Sequence, residues 1–260
     1  MKIIFIGAGN LATQLAKALL NAGHDIVQVY SRTMESASEL ATRAGGAPTT
    51  DLGAVRTDAD LYIVAVKDSV LAEIIPQLCK GREKKVFAHT AGSMPMNVFK
   101  GMALHYGVFY PMQTFSKNRD VDFSEIPIFI EGNDELTIHT LHILGKTIST
   151  RVNELSSEDR KYLHLAAVFA CNFANHCYTL ASGLLSAHHI PFEVMLPLID
   201  ETAHKVHHLT PLEAQTGPAV RFDENVIRSQ AALLKDNPLV KDIYERMSMS
   251  IHLADKKNKR

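Results

Sequence analysis

Over the first half of the chain, short apolar runs alternate with amphipathic ones. Lys2–Ile6 is apolar after its first residue and has the length of a strand, while residues 11–22 repeat apolar positions at helical spacing and stop at Gly23. Residues 26–30 predict a second strand, and 34–44 a second helix ended by Gly45-Gly46. "DLYIVAV" (60–66) is β-branched and almost wholly apolar, as expected of a strand covered on both faces. A helix over 69–78 and strands over 85–90 and 126–132 complete the series. Strands alternating with helices of about a dozen residues predict βαβ units and a doubly wound, mostly parallel sheet, an α/β fold of Rossmann type.

Beyond residue 153 no strong strand pattern remains. Residues 156–189 read as one long helix, capped by Ser156 or Ser157 with Glu158 and Asp159 in its first turn. Further helical patterns cover 192–208 and 223–253, and "TGPAVRFD" (216–223) reads as a loop. The expected organisation is a dinucleotide-binding domain over 1–153 and an all-helical substrate and dimerisation domain over 154–260.

The chemistry starts where the first strand ends, at Gly7-Ala8-Gly9-Asn10-Leu11-Ala12. A GxGxxA run is weak by itself. Between a strand and a helix that lead to a second strand, it has the context of a pyrophosphate-binding turn. Gly7 suits the tight turn, Gly9 lets backbone approach phosphate, and the helix offers free N–H groups. The second strand ends in Ser31-Arg32-Thr33, where NAD sites usually place an acid for the ribose 2′-hydroxyl. Arg32 instead suits a 2′-phosphate, with Ser31 and Thr33 as donors, so NADP is the expected cofactor. The other strand ends add Val66, Lys67, Asp68, Thr90 and Ala91 as expected cofactor contacts. Asp68 serves equally well as a cap for the helix after it.

At 100° per residue, Lys161, His164, Val168, Asn172 and Asn175 fall on one stripe of the long helix. Lys161, His164 and Asn172 are the candidate catalytic groups, with His164 as the proton donor. Gly92, Ser93, Tyr110, Thr216 and Arg221 are candidate substrate contacts. A buried polar core or a subunit interface accounts for the same helical stripe, and a salt bridge to Asp223 or Asp200 for Arg221. Glu201, His204 and His208 have helical spacing, but no fourth ligand accompanies them and no metal is expected.

The chain has 260 residues, 46% of them apolar and 21% charged, with a net charge of -1. That balance gives no footprint for nucleic acid or an anionic membrane. The basic tail "ADKKNKR" reads as a frayed terminus. Three cysteines with no CxxC argue against a disulfide or zinc framework and fit a reducing, cytoplasmic setting. The apolar stretch near 162–185 is broken by His164, Asn172, Asn175 and His176, so no membrane span is expected, and the first apolar run belongs to the fold, not to a targeting segment.

On the glycine turn, "HTAGS" (89–93), "FYPMQTFS" (109–116) and "TGPAVRFD", the sequence resembles a family that joins a Rossmann domain to a helical domain of unknown function. More distantly it resembles pyrroline-5-carboxylate reductase and the 6-phosphogluconate dehydrogenase-like group. The resemblance implies an NADP-dependent oxidoreductase, dimeric through its helical domain, without implying a substrate. Tyr110-Pro111 and Arg221-Phe222-Asp223 depart from the His-Pro and Arg-Gly-Asp often found in that family. The expected activity is hydride transfer to or from a small carbonyl or imine metabolite. A non-catalytic dinucleotide sensor is the alternative, favoured if the substrate cleft is closed by apolar side chains.

Overall fold

The structure, a computed structural model, describes residues 1–258. Its contacts divide the chain into two compact units, 1–171 and 172–260. The change of character read near 153 falls at the end of the last strand, and the helix that follows still belongs to the first unit.

The first unit is built on one eight-stranded sheet. Its strands are β1 (Lys2–Ile6), β2 (Asp25–Tyr30), β3 (Ala47–Thr49), β4 (Leu61–Val64), β5 (Val86–His89), β6 (His105–Pro111), β7 (Ile128–Gly132) and β8 (Val152–Glu154). The order is β3-β2-β1-β4-β5-β6-β7-β8, and every pairing is parallel except β6 with β7. The order reverses between β1 and β4, which opens a crevice beyond their C-terminal ends, the place where open α/β sheets bind ligands.

Covered on both faces, the strands send alternate side chains into two cores. Ile3, Phe5, Leu61, Ile63 and Ala88 point to the layer of α1 (Asn10–Asn21), α2 (Met34–Ala44) and α4 (Glu135–Lys146). Ile4, Ile6, Tyr62, Val64 and Phe87 face the layer of α3 (Asp68–Cys79), where Tyr62 stacks on Phe87 with centroids 4.8 Å apart. The strands β3, β6 and β8 and the helix α4 have no counterpart in the sequence reading.

Several sequence expectations change. The helix over 156–189 is not uniform: α5 (Ser157–Ala167) gives way to a π-helical turn, Val168–Phe173, before α6 (Ala174–Ser186). A π turn takes more residues per turn than an α-helix. The α period is therefore lost between His164 and Asn172, and the stripe drawn at 100° per residue does not join them. In the second unit, "TGPAVRFD" is not all loop: α8 (Pro218–Arg221) starts on a proline and ends at Phe222, whose φ of 53° is left-handed. α7 (Leu196–Lys205) covers the centre of 192–208. The pattern over 223–253 is two helices, α9 (Glu224–Leu233) and α10 (Pro238–Asn258). The basic tail is helical as far as Asn258, and its last two residues lie outside the described part.

Candidate active site

The crevice is shaped first by two glycines with different duties. Gly7 has φ of 112°, and a Cβ there would lie well under 3.0 Å from the Ala65 carbonyl oxygen at the end of β4. Only glycine lets the turn after β1 pass β4 so closely. Gly9 is the N-cap of α1 and accepts from the Thr13 N–H at 2.9 Å. A Cβ on Gly9 would meet nothing within 4 Å, because it would project into open space. No acid sits in the first turn of α1, so its N–H groups stay available to an anion.

Beyond these glycines one cavity of about 500 Å³ is bordered by Gly7, Ala8, Gly9, Ser31, Arg32 and Ser36. Leu52, Val66, Val70 and Ile74 give it an apolar wall suited to a flat ring. Thr33 serves the next helix instead. Its hydroxyl caps α2, accepting from the Ser36 N–H at 3.4 Å and donating to the Ser36 hydroxyl at 3.0 Å. Ser36 takes its place at the cavity wall. Ser36 lies beyond the strand end that the pattern of charges marks, in the first turn of α2, where a helix N-terminus gathers donors.

A second cavity, about 380 Å³, shares Gly9, Ala65, Val66 and Lys67 with the first. Asn10, Leu11, Thr90, Ala91, Gln113 and the pair Tyr110 and His164 line the rest. Tyr110, near the end of β6, has its Oη 3.1 Å from Nδ1 of His164 on α5. The two rings meet edge to face, with centroids 6.0 Å apart. Gly92 makes this possible, since a Cβ there would fall well under 3.0 Å from the His164 ring. Burial pushes the Tyr110 phenol above its ordinary pKa, opposed by the nearby Arg160 charge.

The wall after β5 is held by His89. It is fully buried; its Nδ1 accepts from the Ala91 N–H at 3.2 Å, and its Nε2 faces the Pro95 carbonyl at 3.3 Å. Burial, reinforced by the Arg160 charge, lowers its pKa to about 4, so the ring is neutral and shapes the loop that carries Thr90, Ala91 and Gly92. Asp68 borders the same cavity but does not cap α3; its carboxylate accepts from the Ser93 hydroxyl, which ties two strand ends together.

Other candidates lie elsewhere. Lys161 is exposed and paired with Glu158 at 2.5 Å, and it is not part of the cavity wall. Asn172, Thr216 and Arg221 belong to the second unit, where all three are exposed. Arg221 closes α8 just before Phe222, whose ring stacks on His252 at 4.2 Å. Gln113 and Ser36 line the crevice without having been singled out in the sequence. Among the described residues, no three His, Cys, Asp or Glu side chains are grouped to hold a metal ion.

Residues 2–89 match the family model described as NADP oxidoreductase, coenzyme F420-dependent, and residues 126–251 match a domain of unknown function, DUF2520. The solved structure of BF3122 from Bacteroides fragilis, described as a candidate NADP oxidoreductase, is 57% identical, with 96% of this chain and 97% of that one aligned at a TM-score of 0.93. The chain belongs to that NADP oxidoreductase family. Its fold is shared by an imine reductase from Myxococcus stipitatus in complex with NADP+, at 15% identity, a TM-score of 0.72 and coverage of 99% and 95%. A 1-pyrroline-5-carboxylate reductase from Streptococcus pyogenes shares it too, at 14% identity, a TM-score of 0.65 and coverage of 97% and 98%. No curated protein matches the chain. In this oxidoreductase family member, as far as Asn258, no helix is long and apolar enough to cross a membrane.

Proposed function

We propose that the chain is an NADP-dependent reductase acting on a small carbonyl or imine compound, with Tyr110 and His164 as the proton-handling pair. The observation that carries this reading is the 3.1 Å contact of these two side chains in a cavity continuous with the glycine turn. The cofactor fits the residues present. Gly9 leaves open space where a side chain would stand, α1 offers unneutralised N–H groups, and Arg32 with Ser31 and Ser36 gathers donors for a 2′-phosphate. When bound, NADPH supplies the hydride.

Hydride addition leaves negative charge on an oxygen or nitrogen. If the Tyr110 hydroxyl donates to Nδ1 of His164, Nε2 bears the N–H that meets this charge; as Nε2 gives up its proton, the Tyr110 proton passes to Nδ1, and solvent later restores the phenol. The raised pKa of Tyr110 keeps the phenol protonated for that role. Thr90 and Ala91 hold the neighbouring wall, and Gln113 with Asn10 supplies neutral hydrogen-bonding groups for a small polar substrate. These polar groups on a wall otherwise built from Leu11, Ala65, Val66 and Pro111 support catalysis over a purely sensory role, for which a wholly apolar closure would suffice. The test is NADPH oxidation against a panel of small imines, ketones and aldehydes. Tight NADPH binding with no turnover on any of them would leave the sensor reading in its place.

The same proposal covers assembly and setting. α6 buries none of its residues and carries no Asp, Glu, Lys or Arg, while Phe173, Leu184 and Leu198 are half exposed. Such faces suit a homodimer formed through the helical unit. Three unpaired cysteines suit a cytoplasmic, reducing environment.

A further inference from the structure

α5 is attached to the sheet in an unusual way. Of its eleven residues only Arg160 is buried, whereas Tyr162 and Leu165 are more than half exposed. Arg160 is 1% exposed and heads the fully buried side chains by volume. Its Nη1 donates to Glu131 Oε2 of β7 at 2.6 Å, and its Nη2 donates to the Met94 carbonyl at 2.6 Å and to the Ser157 hydroxyl at 3.1 Å. The Ser157 hydroxyl donates in turn to Glu131 Oε2 at 2.6 Å and accepts from the Met96 N–H at 2.9 Å. One guanidinium therefore joins the loop after β5, the strand β7 and the first turn of α5.

This junction ties together the two segments that flank His164, α5 and the loop after β5. Four residues on from Arg160, His164 lies one helical turn away on nearly the same face. Met94 lies two residues beyond Gly92, against which the His164 ring rests. The junction is a poor choice for stability alone. Buried ion pairs seldom outperform apolar packing of the same shape, and the Nε of Arg160 is buried with no hydrogen-bond partner among the described residues. What an apolar contact lacks is direction: a fork-shaped donor fixes the rotation and height of the helix together with the loop.

We infer that Arg160, paired with Glu131, is a positioning residue that sets the Tyr110–His164 contact. This rests on the reading of that pair as the proton-handling groups, but its test does not need turnover. The readout is the imidazole 15N resonance of His164, assigned by its loss in His164→Gln. Tyr110→Phe in the parent chain gives the signature of a lost contact. The double variant Arg160→Met with Glu131→Leu removes the charges and fills the space, so it leaves no unpaired buried ion. It should fold and bind NADPH within about threefold of the parent, since neither residue lines the crevice. Its His164 resonance should move to the Tyr110→Phe position, and Arg160→Lys should recover part of the parent signal. If the double variant does not fold, Glu131→Gln, which keeps shape and removes charge, carries the same readout. A His164 resonance unmoved in the folded variant would overturn the inference, as would one unmoved in Tyr110→Phe. Absence of turnover on imines and carbonyls would bear on the functional reading alone.

Discussion

His164 Nδ1 lies 3.1 Å from Tyr110 Oη, although the two residues are 54 positions apart in sequence and stand on different elements, a strand and a helix. Neither is a surface accident: Tyr110 is buried, and the His164 ring occupies the space that Gly92 leaves by lacking a side chain. If the pair handles the proton, His164→Gln and Tyr110→Phe should each lower kcat on an active substrate by about 10²–10⁴-fold, the usual effect of a positioned acid or base. NADPH affinity, measured by fluorescence titration, should change little. Gly92→Ala should mimic His164→Gln, because the added methyl displaces the ring. Normal turnover in Gly92→Ala would mean the ring position is not needed for the reaction.

The two glycines of the turn should separate folding from binding. Gly9→Val should keep the fold, since nothing stands within 4 Å of the new Cβ, and should lose NADP binding because the side chain fills the place of the pyrophosphate. Gly7→Ala should do the reverse first. Its φ of 112° and the close Ala65 carbonyl should cost about 1–3 kcal/mol or more of stability, read as a lowered thermal midpoint. A Gly9→Val protein that binds NADP like the parent would remove the crevice as the cofactor site.

How much of this the sequence disclosed depends on the range of the interaction that decides each feature. β1, α1 and α2 are written locally: five residues of strand, a glycine turn and two helical patterns that stop at Gly23 and Gly45 place them with the right bounds to within a residue or two. β6 is illegible because its aromatic residues, buried between two neighbours, carry no alternation, and α4 because its apolar residues are spread around the helix, with Leu136 and Ile143 exposed and Thr137 buried. His164 was found from the polarity of its helix. Its partner Tyr110 is legible in the sequence as a candidate substrate contact but not as the partner of His164, because their contact depends on the register of β6 and on Gly92. Asn172 joins His164 only if one α period is extended through a segment that the protein winds as a π turn, whereas Lys161, three residues before His164 within α5, faces solvent and pairs with Glu158. Arg160 was missed entirely, since a charged residue in the first turn of a helix looks like solvated surface until the tertiary structure buries it.

Cofactor choice turns on Arg32. A charge-assisted contact of this kind contributes about 1.5–3 kcal/mol, equivalent to roughly 10- to 150-fold in affinity. Arg32→Ala should weaken NADP by that factor and leave NAD within about threefold of its parent value. Ser36→Ala should weaken NADP by a smaller factor, whereas Thr33→Ala should act mainly on stability by uncapping α2, at about 1 kcal/mol. Equal losses for NADP and NAD in Arg32→Ala would show that Arg32 does not read the extra phosphate.

Acid should loosen the wall of the site before it reaches the surface ion pairs. His89 has its pKa lowered from 6.5 to about 4, first by burial and then by the Arg160 charge. Between those values the unfolded chain binds a proton that the folded chain refuses, so stability falls as pH drops from about 6.5 to about 4 and levels off below. The full difference corresponds to about 3 kcal/mol, as an order of magnitude for a buried ring. His24, lowered by burial and by the N-terminal charge, adds to the slope with the same sign. Carboxylates act later: Asp58, held down to about 2 by its hydrogen bond to Arg56, loses its contribution only as pH falls from 3.8 toward that value. Urea unfolding between pH 7 and pH 4.5 should therefore show declining stability, and His89→Asn should flatten the decline. A slope in His89→Asn equal to that of the parent would place the acid sensitivity in another group and leave the His89 ring without this part in holding the loop from Thr90 to Gly92.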